Sequence, residues 1–281
     1  MADIVLRPDA ADADVAALRD AYGKMQELSP TDNRSWVYWA EFHGFNRYEC
    51  WHHARVGNDA FPYDLFVPWH RAYLAYFDHV TRDQNEGAIL PWWDWTSELS
   101  HQEGVPSAYA EAEVDGERNP LASGPTPDMP GDAARFTRRF PGDPSELPLL
   151  DGPNPPAGFN LGIKQILDLT QYEDFSNQLQ DVHDGIHGWT GGMSPDGTER
   201  GDMGSISSSA FDPIFWAHHA MIDRLWYLWQ LDHGVNNIPA DYLGRVLAPF
   251  PFTVREVLDV RTLGYDYAVA SAVTVTAGGG G

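Results

Sequence analysis

Eleven histidines occur in the 281 residues, and six of them fall into two sets of three whose spacing suits metal ions. The first set is His43, His52 and His70, the last inside the run Phe66-Val67-Pro68-Trp69-His70-Arg71-Ala72-Tyr73-Leu74. The second is His183 and His187, spaced H-x-x-x-H, with His219 inside D-P-I-F-W-A-H-H-A-M-I-D-R-L-W at 212–226. Neutral imidazole is a borderline ligand that suits copper, zinc, iron and nickel. Two sets of three therefore imply two ions held by nitrogen, with no carboxylate compensating their charge. Residues four apart lie one above the other on a helix, so His183 and His187 can share an ion without bending the backbone. Adjacent histidines point about 100° apart round a helix, so only one of His218 and His219 can face that ion, and His52 and His53 pose the same choice.

These side chains need elements to carry them. Asp14 is placed to cap a helix over 15–28, with Val15, Leu18, Tyr22 and Met25 on one face. Thr31 or Asp32 opens a second over 31–42, which puts Trp36, Trp39 and His43 on one side. Pro68 starts a third, to about 83, on which His70 shares a side with Tyr73, Phe77 and Val80. A fourth is expected over 174–185 and a fifth over 212–232, with Asp212 and Pro213 as cap and first residue. Metal sites built from inward side chains of facing helices recur in bundles. The expected fold is therefore mainly α, a helical bundle around the dinuclear site, with long loops and minor edge β-strands.

His79 lies nine residues after His70, half a turn round an ideal helix, and should face outward. His101 and His233 sit near loops. Trp92, Trp93 and Trp95 are expected as core wall beneath the site, with Asp94 accepting hydrogen bonds. Eleven of the 21 prolines fall within 104–158, which reads as loop, part of a loop-rich insertion over about 97–160. A β-prone stretch at 270–276 precedes a flexible glycine tail at 278–281.

With 43% hydrophobic residues, 13 Phe, 12 Tyr and 11 Trp, the chain can bury one large core, and one domain over 1–281 is expected. A net charge of -23 argues against a nucleic-acid partner, which would require clustered Lys and Arg. No basic and apolar leader opens the sequence, and no apolar run is long enough for a bilayer. A cytoplasmic product with no membrane partner is the expectation, with export alongside a partner protein left open. Cys50, the only cysteine, precludes an intrachain disulfide.

The blocks F-V-P-W-H-R-A-Y-L (66–74), P-W-W-D-W-T (91–96), H-x-x-x-H with Gly191-Gly192-Met193, and D-P-I-F-W-A-H-H-A-M-I-D-R-L-W occur in one order, followed by the short motif Tyr265-Asp266-Tyr267. In these blocks the chain resembles the type 3 copper proteins, which comprise tyrosinases, catechol oxidases and molluscan-type hemocyanin units. The resemblance spans about 36–267. It implies two copper ions, O2 as co-substrate and oxidation of o-diphenols to o-quinones, in some members after hydroxylation of monophenols. It places the sixth ligand at His219, the second histidine of the pair, and leaves His218 as a packed or hydrogen-bonded neighbour. Cys50-Trp51-His52 resembles the C-x-H element of fungal and molluscan members, which implies His52 as ligand and a Cys50–His52 thioether; the competing reading of Cys50 is a small buried hydrophobe. Asp223, four residues after His219, could orient that ring or anchor Arg224.

Further positions bear on substrate. Where hydroxylating members often carry Asn after the first histidine of the second site, this chain has Asp184. Where the family's L-E-x-x-H element has Glu, it has Gln180, which is no general base, although Asp184 could take that task. These departures point to a diphenolase. Gly188 leaves room after His187, and Ile206 falls where some catechol oxidases place a bulky gate. With no basic residue in these positions, neutral or bulky phenols and o-aminophenols are the expected substrates. Reversible O2 carriage is the alternative, disfavoured by a chain that ends soon after the tyrosine motif with no covering lid. A zinc hydrolase, from the likeness of His183-Asp184-Gly185-Ile186-His187 to H-E-x-x-H, leaves the first set without a use. A copper-loading partner protein and the oligomeric state are left open.

Overall fold

The computed structural model describes residues 4–44, 65–127, 133–152 and 160–268. Its regular elements are β1 (Val5–Arg7), α1 (Ala16–Glu27), α2 (Trp36–Ala40), α3 (Phe66–Gln84), α4 (Glu98–Glu103), α5 (Ser107–Ala110), the hairpin β2 (Glu113–Val114) and β3 (Glu117–Arg118), α6 (Ile163–Leu167), α7 (Tyr172–Gly191), α8 (Ile214–His233) and β4 (Tyr265–Tyr267). Helices dominate, as expected. Four of them, α1, α3, α7 and α8, carry the bundle, with α3 packed against α1, α7 and α8.

α1 is a one-faced helix: Leu18, Ala21, Tyr22 and Met25 are its buried residues, spaced to form a single stripe. α8 is apolar almost all round and buried without interruption from Ile214 to Trp226, which makes it the central helix. Phe77 stacks on Trp216 with centroids 3.4 Å apart, joining α3 to α8. Pro68 lies in the first turn of α3, where its missing N–H is not needed. At the other end of the fold, Gly192 closes α7 at φ 57°, and a Cβ there would meet Phe140 O at 1.7 Å. Only glycine fits that position.

Helix ends differ from the sequence pattern in instructive ways. The helix expected over 31–42 begins only at Trp36, because the Asp32 carboxylate is occupied by the backbone and guanidinium of Arg34, while Ser35 Oγ accepts from Tyr38 N at 3.1 Å. His43 thus lies in the turn beyond α2. α7 runs on to Gly191 rather than stopping near Gly185, since a helical glycine costs only about 1 kcal/mol and the buried face continues through Ile186, His187 and Thr190. The described part of the 104–158 stretch is loop for the most part, but holds α5 and the β2–β3 hairpin. The 270–276 stretch lies outside the described residues. The described edge sheet is instead β1 with β4, parallel, pairing Val5 with Tyr265 and Arg7 with Tyr267.

That strand pair is tied to the bundle by Asp223, and here a sequence expectation is corrected. Asp223 neither orients His219 nor anchors Arg224. Its carboxylate accepts from Arg71 Nε at 2.5 Å, Tyr265 OH at 2.7 Å and Tyr267 OH at 2.6 Å, with Arg7 Nη1 at 3.9 Å. Burial, with the carboxylate next to it, raises both phenols far above their ordinary range and keeps them as donors. Arg7 lies over the Tyr265 ring at 3.5 Å, and Arg224 instead lies over Trp92 at 3.9 Å. One turn along an α-helix from His219, a side chain can be angled away to a different layer, and three donors together with the Arg7 charge fix this one there.

Candidate metal centre

Three helices and one turn bring five of the six expected histidines together. His183 and His187, one turn apart on α7, have ring centroids 4.4 Å apart. His219 of α8 reaches both, its Nε2 lying 3.2 Å from His183 Nε2 and 3.3 Å from His187 Nε2. His70 of α3 stacks on the His219 ring at 4.2 Å and 12°. His43 closes the group from the turn after α2, 5.6 Å from His70 and 5.9 Å from His219 between centroids. His52 and Cys50, and with them the thioether, lie outside the described residues.

Hydrogen bonds to the far ring nitrogens decide what this cluster can hold. His70 Nδ1 donates to Phe66 O at 2.8 Å, His187 Nδ1 to Met203 O at 2.8 Å and His43 Nδ1 to Ile206 O at 3.2 Å. His183 Nδ1 donates to Asp184 Oδ1 at 2.9 Å. Carbonyl and carboxylate oxygens only accept, so these four rings carry their proton on Nδ1 and turn a bare Nε2 inward. His219 can donate to one of its two Nε2 neighbours at most. At least one Nε2 lone pair therefore meets another ring nitrogen at hydrogen-bond range with no proton directed at it, which is unfavourable unless a cation lies between them. A spacing of 3.2–3.3 Å is also the edge expected of a polyhedron with imidazole–metal bonds of about 2 Å. The residues fit a metal.

Burial keeps the rings neutral, as ligation requires. It lowers His70 to about 3 and His187 to about 4, with the Phe66 and Met203 carbonyls opposing it only in part. His43 and His219 are pushed well below the ordinary range, first by burial and then by neighbouring imidazoles. An unfolded histidine titrates near 6.5, so between that value and about 3–4 the folded metal-free chain binds fewer protons than the unfolded one. The sign follows: stability contributed by His70 and His187 is present above pH 6.5 and is lost as pH falls. Each ring should cost about 1.4 kcal/mol per pH unit over that interval. Urea midpoints of metal-free protein across this range check the expectation, and a flat profile would contradict it.

The other site residues expected from sequence divide. Asp184, Gly188 and Ile206 line a pocket of about 200 Å³ that opens onto His43, His183 and His187. Nothing lies within 4 Å of a Cβ built on Gly188, so the room expected there is present. Gln180, one turn before Asp184, does not line the pocket. His218 packs against His183 and His187 at 5.2 and 4.8 Å, but neither ring nitrogen has a hydrogen-bond partner among the described residues. Its ligand atom comes within 4.8 Å of those of His183, His187 and His219, closer than two adjacent helical residues were expected to come. His79 is exposed, and His101 and His233 bond to the Leu147 and Leu167 carbonyls. Trp92, Trp93 and Trp95 are buried.

Five contributors escaped the sequence reading: Arg200, Met203, Gly204, Ser205 and Ser209 all line the pocket. Arg200 corrects the expectation that no basic residue attends the site. Met203 and Ile206 orient His187 and His43 through their carbonyl oxygens, a role any residue type can fill and no motif records.

Residues 33–232 match the common central domain of tyrosinase. The chain belongs to the tyrosinase family. A type 3 copper fold and a dinuclear copper site are the family's properties, and the histidine groups for such a site are in place. Among its relatives, a G-type hemocyanin of Enteroctopus dofleini is 31% identical over 91% of this chain and 9% of its own length. A tyrosinase of a Hahella species is 26% identical over 77% of this chain and 56% of its own. The chain thus spans only part of the curated relatives it matches, in the case of an A-type octopus hemocyanin 21%. In fold, a tyrosinase from Burkholderia thailandensis superposes with TM-score 0.70 at 21% identity, covering 95% of this chain and 75% of that one. An octopus hemocyanin unit does so with TM-score 0.70 at 24% identity, covering 94% and 68%.

Proposed function

We propose that this tyrosinase-family chain is a polyphenol oxidase, using O2 to convert o-diphenols, and o-aminophenols by the same two-electron route, to the corresponding quinoid products. The ligands in this reading are His43, His52 and His70 for one copper and His183, His187 and His219 for the other. Copper supplies the electron transfer between substrate and O2. Each o-diphenol gives up two electrons and two protons, and two diphenols reduce one O2 to two waters. The observation that carries the reading is the pocket of about 200 Å³ that reaches His43, His183 and His187 from solvent. A cavity of roughly 150 Å³ accommodates a benzene ring, so one phenolic ring fits.

The residues around the pocket position the ligands rather than attack the substrate. Asp184 accepts from His183 Nδ1 at 2.9 Å while its side chain remains 54% exposed. It holds the ring in place and stands at the rim, where it could also take a phenolic proton. Gln180 is set back from the pocket, so its position offers a phenol no proton acceptor whichever side chain it carries, and hydroxylation of monophenols is the weaker activity. Reversible O2 carriage is the second reading, favoured by the likeness to hemocyanins; it predicts O2 uptake without turnover.

Copper-reconstituted protein should oxidise an o-diphenol faster than the matching monophenol, and its intact mass should fall by about 2 Da if the Cys50–His52 thioether forms in air. O2 binding with no quinone from any diphenol would overturn the oxidase reading. In Asp184→Ala, loss of the hydrogen bond to His183 should lower both activities together, by roughly 10- to 100-fold as for other groups that orient metal ligands. A selective loss of monophenol activity would assign Asp184 the proton instead. Gln180→Glu should leave the ratio of the two activities unchanged.

A further inference from the structure

Resting on that reading, we propose that Arg200 is a specificity residue that selects phenols bearing a carboxylate. Arg200 lines the pocket together with His183, His187 and Gly188. Its backbone is held in place. Arg200 bridges Met193 across a tight turn in which Ser194 N donates to Glu199 O at 2.8 Å, and Gly201 N donates to Gly192 O at 3.2 Å. The guanidinium lies over Gly204, where an added Cβ would stand 2.6 Å from Nε and 3.4 Å from both Cζ and Nη2. A glycine on the pocket wall is what leaves room for the arginine head there.

What separates Arg200 from its neighbours is that its guanidinium has no acceptor among the described residues. Arg135 binds Asp202 through two nitrogens, Arg138 pairs with Glu199, and Arg139 pairs with Asp212. Among the described residues no carboxylate, carbonyl or aromatic ring engages the Arg200 guanidinium. The other charged group on the pocket wall, Asp184, already has Oδ1 committed to His183. A guanidinium offers a planar fork that matches a carboxylate with two parallel hydrogen bonds.

The surroundings give that contact its weight. A chain of net charge -23 repels anions at long range, so an anionic substrate must be recognised by a local contact. The pocket takes one ring, and a carboxylate on that ring is the group left to meet the rim. Because Arg200 is exposed, the contact is of modest strength, on the order of two- to fivefold in affinity.

The test uses 3,4-dihydroxybenzoate and 3,4-dihydroxybenzamide as substrates of copper-loaded protein, and benzoate and benzamide as ligands of metal-free protein by titration calorimetry. The carboxylate should have the lower KM and the lower Kd by roughly two- to fivefold. Arg200→Gln should bring both ratios to about one, and Arg200→Lys, which keeps the charge without the fork, should retain part of the preference. Equal ratios in wild type and Arg200→Gln, or a wild-type preference for the amides, would overturn the proposal. If the diphenols are not oxidised yet benzoate binds metal-free protein in an Arg200-dependent way, the oxidase reading fails and the anion subsite stands. Oxidation with no dependence of either ratio on Arg200 sinks the subsite alone.

Discussion

Replacing His219 by alanine is expected to cut bound copper from about two per chain to about one or fewer and to abolish diphenol oxidation. The ring is the hub of the cluster: its Nε2 stands 3.2 and 3.3 Å from those of His183 and His187, and it stacks on His70 at 4.2 Å. Its ligand atom lies within 4.8 Å of those of both histidine groups, so its loss removes a donor from one ion and a packing partner from a ligand of the other. No carboxylate among the described residues stands in for the missing nitrogen. His218→Ala is the informative comparison, because that ring lies in the same cluster without a hydrogen-bond partner of its own among the described residues. It should keep both coppers, with an effect on stability alone. Copper content by mass spectrometry, beside the circular dichroism spectrum of each metal-free variant, separates loss of ligand from loss of fold. Full loading of the His219 variant together with depletion of the His218 variant would reverse the assignment within the pair.

The second large effect is expected far from substrate. Asp223→Asn should destabilise the metal-free chain by about 3–5 kcal/mol, because removing one member of a buried ion pair leaves its partner charged and uncompensated. Arg71 and Arg7, both fully buried, are those partners. At roughly 2–4 °C per kcal/mol for a chain of this size, the melting temperature should fall by at least about 6 °C. Tyr265→Phe and Tyr267→Phe each remove one donor to the same carboxylate and should cost less, about 1.5–3 kcal/mol apiece. Differential scanning calorimetry ranks the three. If Asp223→Asn melts with the wild type, or the tyrosine variants fall further than it does, the ion pairs with Arg71 and Arg7 are not what fastens β1 and β4 to α3 and α8.

Local rules carried the reading of sequence a long way at the histidines. The i, i+4 spacing of His183 and His187, the aromatic run around His70 and the apolar stretch after Asp212 each specify a helix and the face that must be buried, since helical periodicity and burial are properties of neighbouring residues. His43 was placed on the correct side of the chain although α2 ends before it, because the turn after α2 continues the helical direction closely enough to keep His43 buried with Trp36 and Trp39.

What only tertiary structure decided are the contacts between residues distant in sequence. Asp223 sits four residues from His219, and on a lone helix either His219 or Arg224 would be a reasonable partner. The arrival of Arg71 from α3 and of two tyrosines more than 40 residues later gives the carboxylate stronger donors and removes it from the metal site. The Met203 and Ile206 carbonyls that set the tautomers of His187 and His43 belong to every residue type and leave no mark in a sequence. Arg200 was passed over for a related reason: a lone arginine in a Gly- and Ser-rich loop looks solvated until the folding of 191–206 against α7 places its guanidinium over Gly204 at the pocket wall. Amino-acid types and their spacing determined which groups could bind metal, whereas the packing of loops onto helices determined which partners orient those groups and which charge lines the pocket.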